Sequence, residues 1–215
     1  PRLYDLTTLQ RECNRIYGYT AQQTLDYLQS LYEKKLATYP RTDSQYLTED
    51  MQATAASLIL WLRDNMPFGK GCLGEPDIDR VTDGSKVTDH HAIIPTVEIA
   101  RTDLSALPSG ERDVLTLIAM RLLCATGQAH RFEAVTAVLD CAGHSFTAKG
   151  KTVLQAGWKD IERLYRTGLK QAEPEQADPA DAALPELTQG QTFEPVTAGV
   201  REGKTSPVSY THLRA

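Results

Sequence analysis

Residues 6–35 read LTTLQRECNRIYGYTAQQTLDYLQSLYEKK, and this stretch predicts two amphipathic helices joined by a tight corner. Apolar residues recur three and four positions apart in both halves, as in helices with one buried face. Gly18 can end the first helix in the left-handed conformation. Thr20 and Gln23 have the spacing of a capping box that opens the second. Such a corner is typical of a helix-turn-helix, but also of helical hairpins that only pack.

Two further helices are predicted on either side of a long irregular segment. One covers 48–64, with Thr48 as its cap, and the other runs from about Ser109 to Gly127. The many glycines and prolines between 66 and 108 favour irregular structure.

The hydrophobic period becomes strand-like after residue 130. Residues 132–139 and 145–149 predict a hairpin that turns around Ala142-Gly143-His144. Residues 152–155 predict a third strand, and Leu187 to Arg201 a return to strand structure. Helices followed by a run of strands indicate the α+β class.

The composition is that of a globular chain. Its 215 residues are 41% hydrophobic and 24% charged, which excludes collagen-like, disulfide-rich and wholly disordered classes. No run of about 18 apolar residues is present, so no membrane span is predicted. The four cysteines are far apart and form no C-x-x-C pair, so we expect buried free thiols rather than disulfides or a zinc site.

The net charge of -5 comes from one acidic segment, and the rest of the chain is nearly neutral. Residues 172–195 hold six acidic residues and no Lys or Arg, so the rest of the chain carries a net charge of +1. A neutral body gives no support from composition alone to a nucleic-acid partner.

The densest polar cluster is TYPRTDS, residues 38–44, which directly follows Lys34-Lys35 and the second predicted helix. A tyrosine hydroxyl can act as a covalent nucleophile. A free phenol has a pKa of about 10, so it needs a nearby cation or base at neutral pH. Arg41 offers a permanent charge and a planar fork suited to phosphate oxygens. The same residues also suit an ordinary surface turn, with Asp43 or Ser44 as a cap.

A second polar cluster is DHHAIIPT, residues 89–96. A histidine beside a phosphate can donate a hydrogen bond and carry positive charge. Adjacent residues of an extended segment face opposite sides, so only one of His90 and His91 can address a given site. That argues against joint metal ligation by the pair. The alternative is a structural role, with one histidine buried and the other exposed.

These two clusters, with LYDLTTLQRE at 3–12 and QSLYEKKLATYPRTDS at 29–44, resemble type IA DNA topoisomerases, most closely the bacterial topoisomerase III branch. The resemblance extends from Leu3 to about Pro207. It implies that Tyr39 attacks a phosphodiester of single-stranded DNA, forms a 5′-phosphotyrosyl link and releases a 3′-hydroxyl. Arg41 would hold the scissile phosphate, and His90 would hydrogen-bond a phosphate or a neighbouring active-site group. The resemblance assigns supporting or DNA-binding roles to four more residues, Lys34, Lys35, Thr38 and Asp43.

The resemblance also implies a domain organisation. Residues 1–128 would form a helical, winged-helix-like domain that bears Tyr39. Residues 129–195 would form a β-rich arch segment that includes a solvated acidic loop at 167–187. Residues 196–215 would begin the next gate segment and end in an atypical tail at 208–215. The family's Mg²⁺-binding acids belong to a toprim domain that would precede Pro1, so the chain is predicted to be an internal fragment without its own metal site.

The predicted function is therefore a part of an ATP-independent topoisomerase, cytoplasmic and monomeric, that is inactive without its toprim and gate domains. Its partner is single-stranded DNA, and the whole enzyme is expected to use Mg²⁺. The alternative is a non-catalytic winged-helix module in which Tyr39 and Arg41 only contact phosphate. A third possibility, an interaction domain without DNA, would show no salt-dependent affinity for oligonucleotides.

Overall fold

The computed structural model describes residues 1–169, 183–194, 196–197, 199 and 202–203. Within them, five α-helices and one two-stranded antiparallel sheet confirm the α+β class. The elements are α1 (Leu6–Tyr17), α2 (Ala21–Glu33), α3 (Gln52–Asn65), α4 (Ser109–Thr126), β1 (Arg131–Cys141), β2 (His144–Gln155) and α5 (Trp158–Gly168). The chain divides into two compact units, Pro1–Ala183 and Leu184–Ala215.

The corner between α1 and α2 forms as predicted. Gly18 ends α1 at a φ of 72°, and its N–H donates to the Asn14 carbonyl at 2.9 Å. Only glycine adopts this left-handed backbone without a Cβ penalty. Thr20 and Gln23 then form the reciprocal capping box that begins α2.

Helix α4 is the centre of the core. Most of its side chains are buried from Val114 onwards, including Leu115, Leu117 and Ile118. Helices α2 and α5 pack against α4, and α1 packs against α2. Each fully buried leucine or isoleucine contributes about 1.5–3 kcal/mol relative to an exposed one. The helix predicted from Ser109 to Gly127 is confirmed, because α4 ends at Thr126.

The helix predicted over 48–64 begins later than expected. A 3₁₀ turn at Glu49–Met51 precedes α3, and the Thr48 side chain makes no capping hydrogen bond. Between α3 and α4 the chain forms five short 3₁₀ helices and isolated bridges, as the glycine and proline content predicts.

Strands β1 and β2 pair from Arg131 and Gln155 to Cys141 and His144, with one shift in register between Arg131 and Phe132. At the turn, Ala142 and Gly143 have φ angles of 52° and 78°, the two positive values of a type I′ hairpin turn. The prediction of a separate strand at 152–155 is wrong, because the ladder continues through Thr152 opposite Glu133. These residues therefore belong to β2.

A strand over 187–201 is also not found in the described residues of that range. They contain a turn in which the Gln191 N–H donates to the Thr188 carbonyl at 3.1 Å. The described residues of this range form no ladder, and strand structure requires one. Most of the predicted acidic loop (170–182) and the atypical tail (208–215) lie outside the described residues.

Three cysteines are buried free thiols as predicted, at positions 13, 72 and 124. The prediction is wrong for Cys141, which is exposed because it lies at the tip of β1, where both faces of the hairpin meet solvent. None of the helices that the structure describes is long and apolar enough to cross a membrane.

Candidate active site

Backbone hydrogen bonds bring three distant segments together around Tyr39. Tyr4 and Ile93 form an antiparallel bridge, with the Ile93 N–H donating to the Tyr4 carbonyl at 2.9 Å. The Thr38 N–H donates to the Ile94 carbonyl at 3.0 Å. The two polar clusters predicted at 38–44 and 89–96 therefore meet in space, beside the start of α1.

Lys35 directs the chain from α2 into the Tyr39 segment. Its φ of 61° is in the left-handed region, where a lysine is uncommon. The Lys35 N–H donates to the Tyr32 carbonyl at 2.9 Å, and the Leu36 N–H to the Leu31 carbonyl at 2.8 Å. This pattern ends a helix abruptly and satisfies its last carbonyls.

Two threonine hydroxyls fix the loop on either side of Tyr39. The Thr38 hydroxyl donates to the Ala92 carbonyl at 3.1 Å and accepts from the Ile94 N–H at 3.0 Å. The Thr42 hydroxyl donates to the His90 carbonyl at 2.8 Å. The backbone on both sides of Tyr39 is thus tied to the histidine segment.

The Tyr39 ring lies between two other rings. Its centroid is 4.1 Å from that of His90, with the planes tilted by 36°, and 5.5 Å from that of Tyr32 in an edge-on arrangement. Tyr39 is half-buried and Tyr32 is exposed. Such ring contacts limit the orientations of the phenol, so its hydroxyl has a defined direction.

Arg41 and His90 line a cavity of about 520 Å³. Both side chains are exposed, and the cavity also contacts Asp43, Thr88 and Asp5. Asp43 lies at its rim, where one carboxylate oxygen is 3.5 Å from the Thr88 hydroxyl. The cavity therefore combines a permanent cation with a titratable hydrogen-bond donor next to the Tyr39 ring.

The two lysines before this loop have different surroundings. The Lys34 ammonium is 2.5 Å from one carboxylate oxygen of Glu111, and the other oxygen accepts from the Ser30 hydroxyl at 2.9 Å. Glu111 is only 6% exposed, so Lys34 neutralises a buried charge and ties α2 to α4. Lys35 is exposed, and no acid in the described ranges pairs with it.

Several other potential nucleophiles are held in their protonated forms. Burial raises the pKa of Tyr4 and Tyr17, and it raises the pKa of Tyr165 to about 12. Burial also raises the pKa of the Cys13 and Cys124 thiols to about 12. These groups are poor nucleophiles at neutral pH because only the deprotonated form attacks well.

The acids beside Tyr39 do not fit a magnesium ion. In the part of the chain that the structure describes, no three His, Cys, Asp or Glu side chains are grouped as metal ligands. The Asp5 carboxylate in the cavity wall caps α1, since it accepts from the Thr8 N–H at 2.6 Å and the Gln45 amide at 2.8 Å.

The sequence patterns assign no individual role to Tyr32, Thr42 or Asp5, although Thr42 lies within the polar cluster at 38–44. Asp5 has a recognisable signal, since an aspartate directly before an apolar helical run is a common cap. Tyr32 occupies an apolar position of the α2 pattern, so periodicity alone predicts burial for it.

We expect Thr38→Val to lower the free energy of unfolding by about 1–3 kcal/mol, because the Ile94 N–H loses its acceptor. Urea denaturation of the 215-residue chain measures this change. Thr54→Val on the exposed face of α3 is the matched control and should change stability by less than about 0.5 kcal/mol. Equal stability of the two variants would show that the Thr38 hydroxyl does not fix the loop.

Comparison with known proteins places this chain in a family. Residues 1–212 match the DNA topoisomerase family. DNA topoisomerase 3 of Bacillus subtilis strain 168 is 38% identical over 213 residues, which cover 96% of this chain and 28% of that protein. DNA topoisomerase 3 of Bacillus cereus strain ATCC 14579 is 40% identical over 166 residues, covering 75% of this chain and 22% of that protein. The chain thus spans roughly a quarter of the length of these curated relatives. It belongs to the DNA topoisomerase family, and its predicted resemblance to the type IA, topoisomerase III branch is confirmed.

Proposed function

We propose that this chain is the tyrosine-bearing part of a type IA topoisomerase that breaks and rejoins one DNA strand without ATP. The observation that carries the proposal is the position of Tyr39, whose ring contacts His90 beside the cavity that Arg41 lines. A nucleophile, a fixed cation and a titratable donor are the groups that transfer of a phosphoryl group to tyrosine requires.

In the proposed reaction, the Tyr39 oxygen attacks the phosphorus of a phosphodiester, and the bond from phosphorus to the 3′-oxygen breaks. The phenol loses its proton and the departing 3′-oxygen gains one, leaving a 5′-phosphotyrosyl link and a free 3′-hydroxyl. Religation is the reverse reaction, and it needs no ATP because one phosphoester bond replaces another. Arg41 binds the non-bridging oxygens of the phosphate and stabilises the charge of the transition state. His90 donates a hydrogen bond to a phosphate oxygen or orients the phenol.

The remaining assignments follow from the family and are part of the same proposal. Residues 1–128 act as the winged-helix-like domain, 129–195 as an arch segment and 196–215 as the start of the next gate segment. Thr38 and Asp43 support the nucleophile, Lys35 contributes positive charge near the DNA, and Lys34 supports the site through its ion pair with Glu111. The protein acts as a cytoplasmic monomer on single-stranded DNA. Mg²⁺ would be held by acids of a toprim domain in the rest of the protein, where its charge would help to position the DNA end.

We expect the isolated chain to form no covalent adduct with a labelled single-stranded oligonucleotide in the presence of Mg²⁺. The reason is that the described acids near Tyr39 form no metal site, and the Asp5 carboxylate is already engaged by the Thr8 N–H and the Gln45 amide. The measurement is denaturing gel electrophoresis of the reaction. An adduct from the chain alone would show that its active site is complete.

The positive test is a chimera in which this chain replaces the aligned 213-residue segment of the Bacillus subtilis relative. The chimera should form a denaturation-resistant adduct with the same oligonucleotide. A folded chimera that binds DNA but never forms the adduct would instead indicate the non-catalytic DNA-binding module.

A further inference from the structure

A second cavity, of about 560 Å³, lies at the start of α1 and is strongly basic. Its charged lining consists of four arginines and a single acid, which are Arg2, Arg11, Arg15, Arg121 and Glu12. The excess of positive charge favours an anionic occupant.

The internal ion pairs leave most of this charge unbalanced. A carboxylate oxygen of Glu12 lies 2.5 Å from a guanidinium nitrogen of Arg15 and 3.8 Å from one of Arg121. Arg2 and Arg11 are exposed, and neither forms an ion pair with an acid in the described ranges. Two guanidinium groups at the mouth of the cavity are therefore available to an external anion.

Arg121 is fixed in the wall of the cavity with an unused donor. Its guanidinium carbon lies 4.4 Å above the centre of the Tyr4 ring, and one of its terminal nitrogens donates to the Tyr4 hydroxyl at 2.8 Å. Burial raises the pKa of Tyr4, so this phenol stays neutral and does not cancel the arginine charge. The buried Arg121 Nε has no hydrogen-bond acceptor among the described residues. A buried donor without an acceptor is costly, which makes binding of an acceptor favourable.

The second cavity shares a wall with the cavity at Arg41 and His90. Asp5 lines the cavity at Arg41 and His90, and Gln45 lines the second cavity. The Gln45 amide donates to the Asp5 carboxylate at 2.8 Å. Since the Asp5 carboxylate also caps α1 by accepting from the Thr8 N–H, both of its oxygens are hydrogen-bonded. An extended anion that crosses this wall therefore meets an acid whose oxygens are hydrogen-bonded, while the other two acids of the cavity at Arg41, Asp43 and Asp89, are exposed.

We propose that the second cavity binds backbone phosphates of the same DNA strand that is cleaved at Tyr39. The strand then runs from Arg41 and His90 over the Asp5–Gln45 wall to Arg2 and Arg11. Guanidinium groups match phosphate oxygens in geometry as well as charge. Such contacts set the position of a strand and are independent of its sequence. The inference rests on the proposed function, because it extends the path of that function's substrate.

The test measures binding of a fluorescent single-stranded oligonucleotide to the whole chain by anisotropy, at salt concentrations between about 50 and 200 mM. Arg2→Gln/Arg11→Gln is compared with Arg101→Gln/Arg163→Gln, which removes the same charge from side chains that are 79% and 64% exposed elsewhere. Each lost phosphate contact reduces the slope of log K against log salt by about 0.7 for a single strand. We expect the Arg2/Arg11 variant to lose about 1.4 from the slope and about tenfold in affinity, and the control variant to change little.

Three results would overturn the inference. Equal losses in the two double variants would mean that only net charge matters, and unchanged binding in the Arg2/Arg11 variant would mean that the strand does not reach the cavity. The third result would come from binding of adenosine monophosphate, which carries a phosphate group as the DNA backbone does. If it binds the wild-type chain but not the Arg2/Arg11 variant, while the oligonucleotide binds both equally, the occupant is a free nucleotide and not the strand.

Failure of this inference is separable from failure of the proposed function. The adduct in the chimera tests the function through Tyr39 and does not depend on the salt slope. If the binding measurements contradict the contacts in the second cavity while the chimera still forms the adduct, only the path proposed for the strand is wrong. Absence of any salt-dependent binding by the wild-type chain, with no adduct in the chimera, would remove both.

Discussion

Tyr39→Phe is expected to abolish the covalent DNA adduct in the chimera and to leave the affinity for single-stranded DNA unchanged. Phenylalanine keeps the ring, so the contacts with His90 at 4.1 Å and Tyr32 at 5.5 Å remain. It has no oxygen to attack phosphorus, so the covalent step cannot occur. Denaturing gels measure the adduct, and anisotropy measures the binding.

Tyr46→Phe is the matched control for this experiment. Tyr46 lies seven residues further along, is also half-buried, and has the Lys86 ammonium 4.6 Å from the centre of its ring. Tyr46 is the next candidate nucleophile if the assignment is wrong, because it lies close to Tyr39 in the chain and its ring is beside an ammonium group. We expect full adduct yield from Tyr46→Phe. The opposite result, with adduct from Tyr39→Phe and none from Tyr46→Phe, would transfer the role of nucleophile to Tyr46.

The elements that could be predicted from the sequence are those with local signals. The corner between α1 and α2 depends on Gly18, Thr20 and Gln23, which all act within a few residues of their own positions. Helix α4 and the hairpin have clear hydrophobic periods and ends, and the structure confirms both. The wrong predictions concern segments whose structure depends on contacts with other elements. Whether a strand forms over 187–201 depends on a partner strand, which no local pattern specifies.

The two halves of the site could be recognised as motifs, but their meeting could not be derived from pattern. The hydrogen bond from Thr42 to His90 spans 48 positions, and it is made by a side chain to a backbone carbonyl in irregular structure. No periodicity predicts such a contact. The pairing of Lys34 with Glu111 spans 77 positions and could not be predicted either. The sequence alone indicates a free surface cation at Lys34. The same holds for the second cavity, because Arg121 reaches Tyr4 from α4, 117 positions away.

A test of Arg41 has to separate the effect of its charge from the effect of its geometry. Its charge can be predicted from the sequence, but its function depends on geometry. An exposed cation could steer DNA to the protein from a distance, and an ammonium would then serve as well as a guanidinium. A group that stabilises the transition state must instead reach two oxygens of one phosphate at once, which only the planar fork does.

Arg41→Lys is therefore expected to lower the rate of adduct formation in the chimera by about 10²–10³-fold, which corresponds to about 2.7–4 kcal/mol by analogy with the loss of one oxyanion-hole donor. Affinity for single-stranded DNA should change little, because the charge is kept. Single-turnover cleavage kinetics measure the rate, and Arg101→Lys, on an exposed 3₁₀ helix, is the matched control that should cleave at the wild-type rate. A wild-type rate in Arg41→Lys would mean that Arg41 only steers DNA electrostatically. Equal losses of rate and affinity would mean that it binds the ground state and the transition state alike, so that its interaction energy does not accelerate the chemical step.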